Sequence, residues 1–132
     1  MAYNRIAGIG KLTISNGTAT NSTVVQTMDN IICFTSEITG VTRNAAQAFA
    51  QLPTTISKPD VLTYFTAVVK TGTTYTVESF YITASGYIAC RHALSNATVY
   101  LNGCCVNFND KFYNDTIGNN DESLMTRPIM VS

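Results

Sequence analysis

The sequence predicts an all-β protein: an antiparallel β-sandwich, jelly-roll-like, in a single domain with an irregular C-terminal tail. Segments rich in β-branched and aromatic residues recur about every 8–12 residues with Gly, Asn, Pro or Ser between them, as in sandwiches and barrels. Charged residues make up only 12% of the chain, about half the usual share. Thr, Ser and Asn take their place, and Thr favours strands whereas Lys and Glu favour helices.

The N-terminal part of the pattern predicts a hairpin. Residues 11–15 alternate polar and apolar side chains and end at Asn16-Gly17, a dipeptide typical of two-residue hairpin turns. Residues 18–28 are therefore predicted to form the return strand. The other predicted strands are 30–38, 45–52, 61–70, 76–83, 87–92, 96–101 and 104–108.

Glycines and a proline set the expected ends of these strands. Segment 30–38 is expected to stop at Gly40, and turns are expected at Thr71-Gly72, at Ala84-Ser85-Gly86 and at Asn102-Gly103. The alanines of segment 45–52 also suit a helix. Because this segment is short and Pro53 ends it, it is interpreted as a strand or an irregular edge.

The strand pattern ends at Phe108, which divides the chain into a sandwich domain, 1–108, and an irregular tail or docking arm, 109–132. The tail is polar until residues 125–131, which are apolar again. An extended apolar segment of this kind can dock as a strand on a neighbouring subunit, and a disordered terminus is the alternative interpretation.

Charge and hydropathy exclude several classes of function. The formal net charge is zero, so the basic surface of a nucleic-acid-binding protein is not expected. No apolar run reaches the roughly 20 residues that span a bilayer, and residues 1–11 do not match a signal peptide. The expected setting is therefore folding in a cytoplasm, without membrane insertion.

The four cysteines are interpreted as buried free thiols, because cytoplasmic disulfides are rare and three of the four have strand-like neighbours. They are Cys33, Cys90, Cys104 and Cys105. No Cys-x-x-Cys pair or His cluster accompanies them, so neither a metal site nor another cofactor is predicted.

The sequence predicts no enzyme. His92 is the single imidazole, and the chain has no Gly-x-Ser-x-Gly motif, so nucleophilic catalysis lacks support. A surface or structural role is favoured for His92. Glu37 and Glu78 lie on predicted strands, where outward-facing side chains are expected, so the carboxylate pair of a glycan hydrolase is not indicated.

Residues 38–103 resemble the β-sandwich head domains of phage tail fibres, baseplate proteins and head fibres. A Leu-Pro at Leu52-Pro53 is followed by Pro59, then by a strand and a hairpin whose turn holds a glycine, at residues 80–88. A last strand with an aliphatic and aromatic pattern and a glycine covers residues 97–103. The resemblance covers about half of the chain.

The resemblance implies a structural protein of a bacteriophage virion that is assembled in the host cytoplasm and works as a homotrimer. The leading expectation is a fibre or baseplate tip used in host adhesion and receptor binding, with several weak sites acting together. The alternative is a capsid decoration or head-fibre protein that stabilises the shell without a host ligand. Its terminal arms, 1–10 and 123–132, would then anchor it to other virion proteins.

A candidate site for a host surface glycan lies in the tail. Sugars present apolar C–H faces and hydroxyl rims, so they are bound by aromatic side chains with polar groups around them. One stretch offers that mixture. Its residues are Phe112, Tyr113, Asn114, Asp115, Asn119, Asn120 and Asp121. A tail that only packs on a neighbouring subunit is the competing interpretation.

Overall fold

The computed structural model describes residues 6–107, which form an antiparallel sheet of nine strands without a helix. The predicted all-β, antiparallel class is confirmed. The strands are β1 (Ile6–Lys11), β2 (Thr13–Ile14), β3 (Thr18–Thr27), β4 (Ile31–Arg43), β5 (Ala48–Gln51), β6 (Thr63–Thr71), β7 (Thr74–Ile82), β8 (Tyr87–Cys90) and β9 (Leu94–Val106). Within the described residues, no helix is long and apolar enough to cross a membrane.

The sheet is nearly closed on itself. Its strand order is β1-β3-β4-β9-β6-β7-β8-β5-β2. The two edge strands, β1 and β2, are separated in sequence only by Leu12, which is buried and donates its backbone N–H to the carbonyl of Ser22 at 2.9 Å. One continuous stretch of chain therefore forms both edges, and the sheet is barrel-like, broadly compatible with a sandwich of two layers.

The predicted N-terminal hairpin is wrong. Lys11 pairs with Thr23 in the β1–β3 ladder, whereas Thr13 has left that ladder and pairs with Gln51 of β5. Asn16 and Gly17 lie where the chain returns from β2 to β3. Gly17 has a φ of 99°, and a Cβ there would lie 2.8 Å from the carbonyl oxygen of Thr39. The dipeptide thus reverses the chain between the edge strand β2 and β3, which lies next to the other edge, rather than within one hairpin.

Two glycines predicted to end strands lie inside them. Gly103 pairs with Phe34, so β9 continues through the expected Asn102-Gly103 turn, and the separate strand predicted at 104–108 is wrong. Gly40, with a φ of 69°, lies in a register shift of β4 rather than at its end. In both cases pairing to a distant strand overrides the local turn signal.

The predictions that depend on neighbouring residues are confirmed. β6 and β7 form a hairpin closed by the pair Thr71 and Thr74, with Gly72 at a φ of 63° in the turn. β7 and β8 are joined by a turn in which the N–H of Gly86 donates a hydrogen bond of 2.8 Å to the carbonyl of Thr83. The strand interpretation of segment 45–52 is confirmed for Ala48–Gln51, whereas residues 45–46 form a turn.

The inner face of the sheet encloses one hydrophobic core with a row of aromatic rings through it. Phe65 stacks on Phe34 and on Phe80, with ring centroids 5.5 and 5.7 Å apart, and Phe80 meets Phe49 edge to face at 5.9 Å. These rings link β4, β6, β7 and β5. Phe49 and Phe80 have no solvent-exposed surface, so the row contributes strongly to stability.

The cysteines divide into two kinds. Cys33 and Cys104 are directly opposite each other on β4 and β9, with Cα atoms 4.1 Å apart, and form a disulfide. The prediction of free thiols is therefore wrong for this pair, whose side chains face outward rather than into the core. Cys90 is free and buried as predicted, and Cys105 is free and half-buried on the inner face.

The glycines of β1 allow a loop to lie against the strand. Thr55 donates its hydroxyl to the carbonyl of Ile9 at 2.7 Å, and a Cβ on Gly8 would collide with the carbonyl oxygen of Thr55. We expect Gly8→Ala to lower the free energy of unfolding by about 1–3 kcal/mol, since the loop has to move. Urea denaturation measures this loss.

The neighbouring Ala7 provides the control for that prediction, because its side chain is exposed. Ala7→Ser should change the free energy of unfolding by less than about 0.5 kcal/mol. If Gly8→Ala is as mild as Ala7→Ser, the loop does not lie against β1.

Candidate functional site

The seven residues predicted as a glycan site lie outside the described residues 6–107, so the structure does not place them. They are Phe112, Tyr113, Asn114, Asp115, Asn119, Asn120 and Asp121. The described part of the chain instead contains two features that sequence reasoning did not identify. One is an aromatic surface on the outside of the sheet, and the other is a cleft between β6 and β9.

The aromatic surface, here called the outer tyrosine face, consists of outward-facing side chains on β6, β7 and β9. Its residues are Tyr64, Val68, Tyr75, Val77, Tyr81 and Tyr100. The strand register places Val68 between Val77 and Tyr100. Val77 is 69% exposed and Tyr75 is 60% exposed. Apolar side chains therefore continue across three adjacent strands on the outside of the sheet.

Cations lie at two places on this face. The guanidinium of Arg91 lies 5.9 Å from the ring centroid of Tyr64 and donates a hydrogen bond to its hydroxyl at 3.3 Å. The ammonium of Lys70 lies 5.5 Å from the ring centroid of Tyr75. Tyr81 packs edge to face on Tyr64, 5.8 Å between centroids. These contacts hold two rings in place and put hydrogen-bond donors beside them.

A signal for this face was present in the sequence. Strands with one solvated face alternate apolar and polar residues, whereas β6 carries apolar residues at positions of both parities, for example Tyr64 and Phe65. Phe65 is directed to the core and Tyr64 to the outside. Such an apolar run predicts a strand with apolar side chains on both faces, and only one face of β6 meets the core.

The β6–β9 cleft arises because these two strands pair over only part of their length. Val68, Val69 and Lys70 pair with Tyr100, Val99 and Thr98, and the described ladder goes no further. Beyond Tyr100, β9 follows β4 to the pair of Val106 and Ile31. Beyond Val68, β6 follows β7 to the pair of Thr63 and Ile82. The strands separate around a cleft of about 560 Å³.

Apolar groups line the inner part of the cleft. Phe34, Phe65 and Leu101 reach it from the core, and Cys105 lies beside them. Burial raises the pKa of the Cys105 thiol to about 11. At neutral pH the group is therefore an uncharged thiol that reacts slowly, because the thiolate is the nucleophile. Tyr64 and Val106 border the cleft on the outside, and both are about half exposed.

A buried cluster of amide side chains fixes the end of β9 at this cleft. Asn107 is fully buried, accepts a hydrogen bond from the side chain of Asn30 and donates one to the carbonyl of Ser57. Its backbone N–H bonds the carbonyl of Asn30 at 2.8 Å. Gln26 completes the cluster, because its side-chain oxygen accepts a hydrogen bond from the backbone N–H of Ser57 at 2.9 Å. The chain therefore leaves the described fold from a fixed point.

His92 lies at the surface, with its side chain 70% exposed and its Nε2 atom 3.9 Å from an oxygen of Glu78. Glu37 is exposed on β4, as expected for an outward-facing strand residue, whereas Glu78 is half-buried. Within residues 6–107, no group of three or more His, Cys, Asp or Glu side chains is placed to hold a metal ion.

Comparison of the chain with protein-family models, with curated proteins and with solved structures finds no match. The resemblance to phage head domains therefore stays a prediction. The outer tyrosine face, the β6–β9 cleft and the disulfide are the features of the described residues that bear on function.

Proposed function

We propose that the chain is a non-enzymatic structural and adhesion module of a bacteriophage virion, working as a homotrimer at a fibre or baseplate tip. The observation that carries the proposal is the outer tyrosine face. An apolar aromatic surface on the outside of a rigid sheet is typical of a site that binds another molecule. Its proposed ligand is a glycan of the host surface.

The chemistry of the face suits a sugar. Tyrosine rings pack against the apolar C–H faces of sugars, and their hydroxyls exchange hydrogen bonds with the sugar rim. Arg91 beside Tyr64 and Lys70 beside Tyr75 add donors at both places. A single sheet face of this size binds weakly, so three copies in one particle component would provide avidity.

The Cys33–Cys104 disulfide supports a place on the outside of a particle. Disulfides persist in oxidising surroundings, which include virion surfaces, and are rare in cytoplasmic proteins. A chain that folds in a cytoplasm and later functions outside the cell would spend its working life in oxidising surroundings, where a disulfide persists. The disulfide would then form after the particle leaves its host.

A capsid decoration or head-fibre role is the second candidate, and the valines of the outer tyrosine face favour it. Val68 and Val77 offer no hydrogen bonds to a sugar, whereas they suit a contact with another protein. In that role the face would lie on a capsid subunit and would need no host ligand. The two candidates differ in what the isolated protein binds.

The test compares the wild-type chain with Tyr64→Ala/Tyr75→Ala on an array of bacterial surface polysaccharides and on a panel of intact bacteria. We expect the variant to lose about tenfold or more in affinity, since an aromatic residue at the centre of a binding site contributes roughly 1–2 kcal/mol or more. Tyr87→Ala is the matched control, because Tyr87 is 46% exposed on β8, outside this face.

Light scattering of the same samples gives the oligomeric state. A trimer that binds polysaccharide through Tyr64 and Tyr75 supports the adhesin. A protein that binds no cell and no polysaccharide, but binds capsids from which it has been stripped, indicates the decoration role. Equal polysaccharide binding by the double variant and by wild type would show that the outer tyrosine face is not the ligand site.

A further inference from the structure

The β6–β9 cleft presents two strand edges that face each other without pairing among the described residues. On the β9 side the edge covers residues 101–106, and on the β6 side it covers residues 63–67. Each of the two strands is paired along its other edge, β9 with β4 and β6 with β7. A rigid, unpaired strand edge is the acceptor that β-strand addition uses, with backbone hydrogen bonds supplying affinity.

Apolar side chains in the cleft are also left partly exposed. Phe34 and Phe65 stack on each other at its inner end, and Val106 at its mouth is 52% exposed. Gly103, which pairs with Phe34, has no side chain to cover the rings, and a Cβ there would touch nothing within 4 Å. An apolar strand in the cleft would cover the partly exposed Phe65 and Val106 as well as pair the edge.

The chain itself supplies such a strand. Residues 108–132 follow Asn107, the fixed residue next to the mouth of the cleft, and they end in Pro128-Ile129-Met130-Val131-Ser132. In an extended strand Ile129 and Val131 share one face. Pro128, which has no N–H, would stand at the start of the strand, where proline is tolerated.

The length of the connecting residues and the effective concentration of the C-terminal segment favour its binding to the cleft of the same chain. The 101–106 edge is about 20 Å long, whereas the 21 residues from 108 to 128 can span up to about 70 Å. A connection of this length gives the segment an effective concentration at the cleft of the order of millimolar. A free second copy at micromolar concentration competes poorly with it, whereas a neighbouring subunit of a trimer is distinguished from it by the cross-link described below.

We propose that residues 129–131 bind as an extended strand in the β6–β9 cleft of their own chain, paired with the 101–106 edge of β9. Ile129 and Val131 pack on Phe34, Phe65 and Cys105, and the segment completes the sheet at the place where β6 and β9 separate. This inference does not depend on the proposed adhesion, since the cleft and the outer tyrosine face share only Tyr64.

The alkylation rate of the Cys105 thiol shows whether the cleft is covered. We expect iodoacetamide at about pH 9, where a fraction of the thiol is ionised, to alkylate Cys105 at least about tenfold faster after deletion of residues 128–132, because the cover is gone. Peptide mass spectrometry follows Cys105 and Cys90 in one sample, and Cys90 is the buried reference. Adding a synthetic peptide of residues 125–132 should slow the reaction again.

A pair of charge-matched variants separates the segment from the rest of the tail. Ile129→Asp/Val131→Asp should expose Cys105 as the deletion does, whereas Ser123→Asp/Thr126→Asp adds the same charge and should leave the rate unchanged. Unfolding curves of all variants verify that residues 6–107 stay folded. Equal alkylation rates in the full chain, the deletion and both double variants would overturn the proposal.

Cross-linking identifies the donor chain. In the variant Val131→Cys, a short bismaleimide should join the introduced thiol to Cys105 and give a product with the mass of one chain. A product with the mass of two chains would show that the segment is exchanged between copies, and the assignment to the same chain would then be wrong.

Discussion

Replacing Phe80 by alanine is expected to lower the free energy of unfolding by about 3–5 kcal/mol, the usual cost of removing a buried phenylalanine ring. Phe80 has no exposed surface and contacts both Phe65 and Phe49. Its loss would therefore leave a cavity in the middle of the aromatic row. Urea denaturation followed by tyrosine fluorescence or circular dichroism measures the change.

Two variants make this prediction specific. Val77→Ala lies on the same strand as Phe80 but faces outward and is 69% exposed, so its cost should stay below about 0.5 kcal/mol. Phe80→Leu keeps part of the side-chain volume, so its loss of unfolding free energy should lie between those of Val77→Ala and Phe80→Ala. It can still be measured if the alanine variant does not fold. A cost for Phe80→Leu no larger than that for Val77→Ala would contradict the position of Phe80 in the core.

The second large effect is expected from the disulfide. Cys33 and Cys104 are separated by 71 residues, and closing a loop of that length removes enough entropy from the unfolded chain to stabilise the fold by about 4 kcal/mol. Cys33→Ser/Cys104→Ser should lose that amount. Thermal unfolding with and without a reductant measures it, because the wild-type chain alone should respond to reduction.

Cys105→Ser is the control for the disulfide, since Cys105 neighbours Cys104 but faces the other side of β9. This variant should keep the bond and its response to reductant. If intact mass spectrometry of the oxidised wild-type chain finds four free thiols, the pairing is wrong. The unfolding transition should then be the same with and without reductant.

The sequence predicted the parts of the fold that depend on neighbouring residues. The β6–β7 hairpin follows from a β-branched run interrupted by Gly72, and the β7–β8 turn follows from Gly86. Neither needs knowledge of a distant strand. The same reasoning was wrong at Asn16-Gly17 and at Asn102-Gly103, where partners far along the chain, Thr39 and Thr35, determine what the backbone does.

The functional features could be predicted less well, for the same physical reason. The pairing of Cys33 with Cys104 depends on the register of β4 against β9, which no local pattern reveals. The β6–β9 cleft depends on where two distant strands stop pairing. Tyr64 was visible as an aromatic strand residue, but its exposure follows from the direction of Phe65 toward Phe34 and Phe80.

The place of β9 in the sheet has a consequence for how the chain folds. β9 lies between β4 and β6, and it pairs Ile31 with Val106, residues that are far apart in sequence. During synthesis on the ribosome, the second edge of β4 stays unpaired until β9, the last described strand, has been made. Folding should therefore be slow, in the millisecond to second range of proteins with many distant contacts. A chain truncated before Leu94 should not fold, because it would lack the strand that joins its two halves.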